Sequence, residues 1–416
     1  MKRRWNFLFL LVWFFVSVEK VEALESFSIM VLPDTQYYSS YPDREAIFVK
    51  QTEWIRDNAV TKKVKMVLHE GDLINSNNSS PEWVRAKNAM SKLGTIPYAL
   101  SLGNHDYSGQ KDTTFFNAAF PASNFIGKSW FGGVFEKGKM DNAYYVFEAG
   151  GKNWLVLSLE YGPRQVVVDW AKGIVANNSD KLIILLTHGY MAPDGSRLGT
   201  GDAHNPHDSF TDTHDGDELW EELVKPSRNI VMVLSGHVVD AARRVDTNNF
   251  GKNVYQILSD YQNDPLGGNG YLRIMEFFPD QGKVNVKTFS PWLNQYKTED
   301  KNQFELNVDW WKVEKNSNKL TGTFLESSML SSENQIGRQL DEVKALGMDT
   351  VVLQSMKTLA GGCGGSYQWN VNMPGNLKYL FSEAKKKGIK VWVGTALKAP
   401  CYQVSDEEVN KKVAAN

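Results

Sequence analysis

Short apolar runs alternate with amphipathic segments over the first two thirds of the chain. An unbroken apolar run predicts a strand buried on both faces, whereas apolar residues that recur every three or four positions predict a helix with one buried face. The alternation of the two patterns predicts parallel strands covered by helices. The predicted strands are residues 26–32, 64–69, 96–102, 143–147, 154–160, 182–187 and 230–234, of which 143–147 and 154–160 resemble a hairpin pair, and the predicted helices are residues 43–59, 81–93, 166–176 and 218–224.

The pattern then changes to apolar runs that are joined by turn-forming residues. Residues 254–259, 271–277 and 284–289 predict strands, and the last two are joined by the turn sequence Pro279-Asp280-Gln281-Gly282. We expect these strands to close the first domain as an antiparallel extension.

A polar segment from about residue 298 to residue 319 precedes a second βα pattern and predicts a linker, although Trp310 and Trp311 interrupt it. Beyond it, residues 321–325, 350–354 and 390–393 predict strands, and residues 333–346, 377–387 and 406–414 predict helices. The chain is therefore predicted to contain a domain at 24–305, a linker at 306–318 and a second domain at 319–416.

The first 23 residues have the pattern of a signal peptide. Lys2, Arg3 and Arg4 precede an apolar run at residues 5–18, and the small side chains of Val21 and Ala23 indicate cleavage after Ala23. A membrane anchor is the alternative, but this run is shorter than the roughly 20 residues that a membrane span requires. The sequence therefore predicts export, with the mature chain secreted or periplasmic and not associated with a membrane.

Composition narrows the class of protein further. The chain has 416 residues, 42% of them hydrophobic and 23% charged, which excludes a disordered, collagen-like or coiled-coil protein. Basic residues number 46 and acidic residues 48, so no positive excess indicates nucleic-acid binding. The length suffices for two or three domains with their own cores.

Metal-binding types of side chain follow five of the predicted strands. Because the carboxyl ends of parallel strands meet at one sheet edge, we expect these side chains to lie together. A single Gly-Asp is a common turn and a single Gly-His is more often structural, but five such segments in this order favour a site for two divalent ions and phosphate-ester hydrolysis. The residues are Asp34 and Gln36, Asp72, Asn104 with His105 and Asp106, His188, and His237.

Four other histidines are interpreted as structural or solvated. His69 lies inside a predicted strand, where a core or supporting role is expected. His204, His207 and His214 lie in a polar segment between strands, for which solvated surface is favoured over a lid that faces the substrate.

With these motifs the chain resembles the calcineurin-like metallophosphoesterase superfamily over residues 26–290. The resemblance implies a β-sandwich flanked by helices, with two metals at the sheet edge and a bridging hydroxide that hydrolyses phosphate mono- or diesters. It also implies that Asp72 bridges the ions, that Asn104, His188 and His237 complete one site, and that Asp34 begins the other. His105 would face the substrate, and Asp106 would orient its imidazole.

Two departures from the family pattern affect the same ion. Gln36 stands where the first motif has a histidine, and Val239 stands where the last motif has one. The remaining oxygen ligands favour Mn²⁺ or Fe, with Mg²⁺ and Zn²⁺ as alternatives, and predict that one of the two ions is labile. A mononuclear, weakly active or purely binding protein is also left open.

Three segments of the chain resemble a secreted branch of this superfamily in bacteria and archaea. The branch shares the Asp34-Thr35-Gln36 opening, and the segments at residues 259–262 and 288–291 are also similar to it.

Residues 319–416 resemble the opening of a glycosidase-like (β/α)₈ barrel. A complete barrel needs about 250 residues, so the segment is interpreted as a truncated barrel, a part completed by a partner, or a small open α/β domain. Cys363 and Cys401 follow two of its predicted strands, and a disulfide and two free thiols are equally compatible with this placement.

The alternative function is that of a carbohydrate-acting or carbohydrate-binding protein, with the second domain in contact with sugar and the first a metal-binding scaffold. A metal-dependent binding module without turnover is a third hypothesis, although such a module would not need both His105 and Asp106. The expected partner is a phosphate-ester substrate, and the sequence does not separate monoesters, diesters and pyrophosphates.

Overall fold

The structure is a computed structural model that describes residues 24–311, 322–326, 332–345, 350–354 and 375–394. The chain divides into two compact units, Met1–Lys312 and Val313–Asn416. The predicted signal peptide, the predicted helix at 406–414, and Cys363 and Cys401 lie outside the described residues. Within the described ranges, no helix combines the length and the apolar character that a membrane span requires.

The described part of the first unit contains two seven-stranded sheets. Its strands are β1 (Phe27–Leu32), β2 (Val64–His69), β3 (Tyr98–Leu100), β4 (Phe131–Val134), β5 (Ala143–Ala149), β6 (Lys152–Ser158), β7 (Leu182–Leu186), β8 (Ile230–Ser235), β9 (Asp240–Thr247), β10 (Asn253–Asp260), β11 (Leu272–Phe278), β12 (Lys283–Ser290), β13 (Gln295–Lys297) and β14 (Phe304–Asn307).

Seven α-helical segments accompany these strands. They are α1 (Gln36–Ser40), α2 (Glu45–Asn58), α3 (Ser80–Ser91), α4 (Thr114–Ala119), α5 (Gln165–Asn177), α6 (Gly216–Leu219), which continues into a π-helical turn at Trp220–Val224, and the short α7 (Pro265–Gly268). Short 3₁₀ turns occur at Asn104–Asp106, Ala122–Asn124, Pro206–Asp208 and Pro279–Gln281.

The first sheet has the order β13-β12-β11-β1-β2-β3, with β14 also paired to β12. Strands β1, β2 and β3 are parallel, whereas β1 and β11 are antiparallel. Leu32 pairs with His69 at the end of β1 and β2, so the segments that follow these strands leave the sheet at the same edge.

The second sheet has the order β4-β5-β6-β7-β8-β10-β9. Strands β6, β7, β8 and β10 are parallel, and β9 pairs with β10 in the antiparallel sense. Leu258 of β10 pairs with Ser235 of β8. Asp260 and His237 each come two residues after this pair, so they lie beside each other at the ends of β10 and β8.

The main core lies between the two sheets and is rich in aromatic rings. Phe27 stacks on Phe277 of the same sheet at 4.6 Å between ring centroids, and Trp154 of the second sheet meets Phe27 edge to face at 5.7 Å. A second core lies between the other face of the second sheet and its helices, where Val168 of α5 and Leu223 are fully buried. Burial of such large side chains stabilises the fold by about 1.5–3 kcal/mol each.

The predicted α/β class is confirmed, and most predicted elements of the first unit form close to their predicted bounds. The placement of residues 254–259 in an antiparallel extension with 271–277 is wrong, because β10 pairs in parallel with β8 of the second sheet. The sequence did not predict strands β4, β9, β13 and β14 or helices α1, α4 and α7, since their sequences are short, rich in glycine, or polar.

The predicted linker begins too early. Residues 304–307 form β14 on the first sheet, and Trp310 meets Trp154 edge to face at 5.7 Å between ring centroids. The indole of Trp311 donates a hydrogen bond to the carbonyl oxygen of Gly150 at 2.6 Å. Residues up to Trp311 therefore belong to the first unit.

The described part of the second unit contains three parallel strands in the order β15 (Gly322–Glu326), β16 (Thr350–Gln354) and β17 (Lys390–Gly394). Helices α8 (Glu333–Ala345) and α9 (Gly375–Lys387) share a small core that includes Ile336, Leu340 and Leu380. The apolar residues recur at helical spacing, so each helix has one apolar face, and these two faces form the shared core. The similarity to a barrel stays a prediction.

Candidate metal centre

The ends of the parallel strands in the two sheets of the first unit lie next to one another. The backbone N–H of His237, which follows β8, donates to Oδ1 of Asp34, which follows β1, at 3.3 Å. His237 and Asp72 have φ angles of 74° and 51°, in the left-handed region that non-glycine residues rarely adopt. Such strained backbone is common at functional sites, where the surrounding structure holds it in place.

His188 lies at the middle of this cluster. Its Nδ1 is 2.8 Å from the carbonyl oxygen of Glu70, which can only accept a hydrogen bond, so Nδ1 carries the proton. Its Nε2 lies 3.2 Å from Oδ1 of Asn104, 3.3 Å from Oδ2 of Asp72 and 4.0 Å from Oδ2 of Asp34. Three oxygen acceptors thus surround this nitrogen, an arrangement that is stabilised by positive charge, either a proton on the imidazole or a metal ion among these atoms.

Charges around His188 change its affinity for a proton. Burial alone would lower the pKa of His188, but the charge and hydrogen bond of Asp72 outweigh burial and raise it. The same contact with the imidazole lowers the pKa of Asp72 to about 2, although burial opposes this shift. In the absence of a metal, a proton would therefore stay on the imidazole and the Asp72 carboxylate would stay ionised.

His237 presents a second imidazole to the cluster. Its Nε2 lies 3.0 Å from the carbonyl oxygen of His204, so this nitrogen donates and Nδ1 is left unprotonated. Burial and the neighbouring His188 lower the pKa of His237 to about 3, which keeps the ring neutral. One donor atom each from Asp72, His188 and His237 lies within 4.8 Å of the others, which suits the radius of one metal ion.

The other side of the cluster contains oxygen donors only. Oδ2 of Asp34 and Oε1 of Gln36 are buried and have no hydrogen-bond partner. The Gln36 amide nitrogen donates to Oε1 of Gln262, which fixes the amide so that the oxygen is its free end. Burial raises the pKa of Asp34, and the nearby carboxylates of Asp260 and Asp72 add to the shift.

These donors fit divalent metal ions. Buried polar atoms without partners are rare in proteins and costly, and carboxylate, amide and imidazole are the usual ligands of hard or borderline divalent cations. The structure brings all six residues predicted as ligands together where the strands of the two sheets end. Their assignment as ligands stays a prediction. They are Asp34, Gln36, Asp72, Asn104, His188 and His237.

His105 stands at the rim of the cluster and is half-buried. Its backbone N–H donates to Oδ1 of Asp72 at 3.0 Å, and its Nδ1 donates to the carbonyl oxygen of Asn75 at 2.8 Å. The second contact leaves Nε2 of His105 as the nitrogen that is free to exchange a proton with a ligand.

Asp106 does not orient the imidazole of His105, so that part of the sequence prediction is wrong. Its carboxylate instead accepts hydrogen bonds from the backbone N–H groups of Leu73 at 2.9 Å, Ile74 at 3.3 Å and Gly103 at 2.9 Å. The physical reason is the 3₁₀ turn at Asn104–Asp106, which directs the Asp106 side chain back toward these N–H groups. Asp106 therefore ties together the two segments that carry Asp72 and Asn104.

Supporting residues around the centre were largely missed by sequence reasoning. Buried Asp260 bonds through Oδ1 to the backbone N–H of Gln262 at 2.9 Å, and burial raises its pKa to about 7. Glu70 accepts a hydrogen bond from Ser259 at 2.6 Å. The signal available for Asp260 was its position at the end of an apolar run, like the other site residues.

His69 has the supporting role expected for it. It accepts a hydrogen bond at Nδ1 from the N–H of Gly71 at 3.2 Å, and its Nε2 contacts the Thr35 hydroxyl at 2.9 Å. His69 thus joins the segments that follow β1 and β2.

The segment between β7 and β8 lies closer to the centre than the sequence suggested. His204 and His207 are exposed as expected, but the His204 ring lies 5.8 Å from that of His237. His214 is buried and bonds through Nδ1 to the carbonyl oxygen of Pro163 at 2.9 Å, so solvated surface is the wrong interpretation for this residue. Phe210 packs edge to face against Tyr161, which itself contacts His237. The segment forms a wall of the centre.

A family model and one curated relative match much of this chain. The model of the calcineurin-like phosphoesterase family matches residues 27–241. The uncharacterized protein YvnB of Bacillus subtilis (strain 168) is 32% identical over 340 residues, which cover 78% of this chain and 24% of the relative. The chain thus spans about a quarter of the length of that relative.

Two solved structures are similar at low sequence identity. The purple acid phosphatase PPD1 from yellow lupin (Lupinus luteus) seeds has 11% identity and a TM-score of 0.46, over 69% of this chain and 55% of that chain. The protein TT1561 of Thermus thermophilus has 12% identity and a TM-score of 0.31, over 66% of this chain and 98% of that chain.

Proposed function

The chain belongs to the calcineurin-like phosphoesterase family of metal-dependent phosphoester hydrolases, and we propose that its first unit hydrolyses phosphate mono- or diesters at a centre for two divalent ions. The observation that carries the proposal is the convergence on Nε2 of His188 of three oxygen acceptors, those of Asn104, Asp72 and Asp34. Oxygen and nitrogen atoms of this kind are usual ligands of divalent ions, and a bound ion would stabilise their close approach.

Two sets of residues would hold the ions. Asn104, His188 and His237 would hold one, Asp34 and Gln36 would hold the other, and Asp72 would contact both. When bound, the ions supply Lewis-acid activation of a phosphoryl oxygen and of the attacking water. Glu70 contributes through its carbonyl oxygen, which keeps Nε2 of His188 free of a proton and therefore able to bind a metal.

His105 is proposed to protonate the leaving oxygen of the substrate. The Asn75 carbonyl holds the proton on Nδ1, so a second proton on Nε2 is the one that can be transferred. The ring is half-buried at the rim of the centre, where a substrate can reach it. A positioned acid of this kind accelerates hydrolysis by about 10²–10⁴-fold.

The oxygen-rich ligands at Asp34 and Gln36 favour Mn²⁺ or Fe over Zn²⁺, and the ion held there is proposed to exchange more readily than the other. Export is part of the proposal and is supported by the charged and apolar pattern of residues 1–23. The start of the first domain at residue 24, the second domain at 319–416, the secreted branch and the carbohydrate hypothesis for the second domain stay predictions.

The test is hydrolysis of an aryl phosphate monoester and an aryl phosphate diester by the purified chain. We expect turnover of at least one of them with Mn²⁺, its loss on chelation, and its return when Mn²⁺ is restored. A matched His188→Ala variant should stay inactive at every Mn²⁺ concentration. Hydrolysis that is unaffected by chelation, or equal in His188→Ala, would contradict the proposal.

A further inference from the structure

We propose that Asp260 is a further ligand in the oxygen-lined half of the centre, where its carboxylate takes the place of the imidazoles that the family pattern has at Gln36 and Val239. This inference rests on the proposed two-ion function. It adds a residue from a strand that contributes none of the predicted ligands.

The register of the second sheet brings Asp260 to the centre. Leu258 pairs with Ser235 in parallel strands, so Asp260 and His237 leave the sheet at the same level. Asp260 is fully buried. His237 in turn contacts Asp34 through its backbone N–H, which joins this edge to the end of β1.

Only one of the two carboxylate oxygens of Asp260 has a hydrogen-bond partner. Its Oδ1 accepts from the N–H of Gln262 at 2.9 Å, whereas its Oδ2 is buried without a partner. The side chain of Gln262 accepts from the amide nitrogen of Gln36, whose own oxygen is also buried without a partner. Gln262 thus forms a hydrogen bond with one polar group of Gln36 and one of Asp260. The remaining oxygen of each side chain, Oε1 of Gln36 and Oδ2 of Asp260, has no partner.

Asp34 has the same arrangement as these two residues. Its Oδ1 accepts from the N–H of His237 at 3.3 Å, and its Oδ2 is buried without a partner. Asp260 lies close enough to Asp34 for its charge to act on the Asp34 carboxyl group. Each of three neighbouring residues therefore offers one oxygen that no hydrogen-bond donor satisfies, which is what a cation site requires.

The nearest buried guanidinium does not neutralise these carboxylates. Arg273 donates from Nε to the hydroxyl of Tyr261 at 3.0 Å and from Nη2 to the carbonyl oxygen of Lys301 at 3.1 Å. None of the ion pairs among the described residues joins Arg273 to Asp34 or Asp260. The negative charge of this half is therefore left for a metal ion to balance.

A cavity lies beside Asp260 on the side where the family pattern has its last histidine. It has a volume of about 340 Å³, and Val239 and Asp260 both line it. Lys297 and Lys301 at its rim are already paired with Asp264 and Asp240, respectively. The cavity thus adjoins Asp260 where the family pattern has an imidazole, and the Asp260 side chain itself is fully buried.

The resulting ligand set differs between the two halves of the centre. One half would combine imidazole with oxygen ligands. The other half would contain oxygen ligands alone, supplied by Asp34, Gln36, Asp260 and the shared Asp72. Oxygen-only sets select Mn²⁺ or Mg²⁺ over Zn²⁺. Asp260 would therefore give this ion a fourth protein ligand and make its site selective for hard cations.

The experiment is calorimetric titration of the metal-free full chain with Mn²⁺, in the wild type and in Asp260→Asn. We expect two Mn²⁺ per wild-type chain. In Asp260→Asn, one of them should bind at least about 10-fold more weakly, while the affinity of the other changes by less than about two-fold. The matched control is Asp264→Asn, which removes the same charge four residues further along and should bind both ions as the wild type does.

A second variant keeps the test decisive if Asp260→Asn folds poorly. A thiolate in place of the carboxylate in Asp260→Cys should bind Cd²⁺ and give the ultraviolet charge-transfer band of a cadmium–thiolate bond. The wild type, which contains Cys363 and Cys401, serves as the blank.

Failure of the inference and failure of the proposed function give different results. If the wild type binds two Mn²⁺ but Asp260→Asn retains both affinities, or Asp260→Cys gives no new band with Cd²⁺, Asp260 is not a ligand and the proposed function stands. If the wild type itself binds no Mn²⁺, the proposed function fails first.

Discussion

Nδ1 of His188 lies 2.8 Å from the carbonyl oxygen of Glu70. This single contact decides which nitrogen of the ring can bind a metal, because the carbonyl holds the proton on Nδ1 and leaves the Nε2 lone pair toward Asp72. Glu70 immediately precedes Gly71 and Asp72, so the strand end that supplies the proposed shared carboxylate also orients the imidazole next to it. The centre is thus arranged by the backbone at the end of β2.

Replacement of Asp72 by alanine should remove both ions and the activity together. Its Oδ2 faces Nε2 of His188, and its Oδ1 accepts the N–H of His105. We expect metal content to fall below one ion per chain and turnover to fall at least about 100-fold, more than the loss typical of residues that only support a ligand. Elemental analysis and hydrolysis assays on the same sample measure this. Full metal content in Asp72→Ala would exclude the shared role.

Replacement of His105 by alanine should affect turnover and leave metal content unchanged. Nδ1 of the imidazole donates to the Asn75 carbonyl, and His105 is not part of the group of donor atoms formed by Asp72, His188 and His237. Loss of a proton donor predicts a decrease in kcat of about 10²-fold or more. An aryl ester with a very acidic leaving group should be affected least, since it needs no proton. Loss of metal in His105→Ala would show that the residue is a ligand.

Replacement of Asp106 by alanine should destabilise the fold and weaken metal binding. Three backbone N–H groups, those of Leu73, Ile74 and Gly103, would lose their acceptor. Each buried N–H group that is left without an acceptor costs about 1–3 kcal/mol, so we expect a loss of about 3 kcal/mol or more in the free energy of unfolding. Urea unfolding measures it. Unchanged stability with a loss of activity alone would favour the discarded role of orienting His105.

The stability of the first unit should depend on pH through Asp246, which lies outside the centre. Burial alone would raise the pKa of Asp246, but hydrogen bonds from Arg244, Gln256 and Arg197 outweigh burial and lower it from 3.8 to about 2. Because the folded pKa lies below the unfolded value, its contribution is fully present above about pH 4 and is lost as the pH falls toward 2.

Comparison of Asp246→Asn with the wild type measures this contribution. The difference in unfolding free energy should be about 1–2 kcal/mol at pH 7 and should shrink when the pH is lowered to about 3. Urea unfolding at the two pH values gives both differences. If Asp246→Asn and the wild type differ in unfolding free energy by the same amount at both pH values, the lowered pKa of Asp246 is contradicted.

The sequence located the centre because its side chains follow strands that could be recognised from their apolar character. Asp34, Asp72 and His188 each come directly after such a strand, and the parallel strands of both sheets end next to one another. The same logic could have found Asp260. It failed there because the strand that Asp260 ends was assigned to an antiparallel extension, and strand partners are not encoded in the local pattern.

Contacts made by backbone atoms could not be predicted at all. The Asn75 carbonyl that holds His105 and the N–H groups that hold Asp106 depend on the path of the chain after β2, and every residue has these groups. The start of the linker was misplaced for a related reason. Trp310 and Trp311 stand in a polar segment, and only the packing against Trp154 reveals that they are part of the core.

Elemental analysis of the purified chain, with hydrolysis of aryl phosphate esters measured on the same sample before and after chelation, tests the central claim most directly. We predict about two divalent ions per chain and hydrolysis that disappears and returns with them. One ion or none, together with hydrolysis that is absent or indifferent to chelation, would contradict a two-ion phosphoesterase.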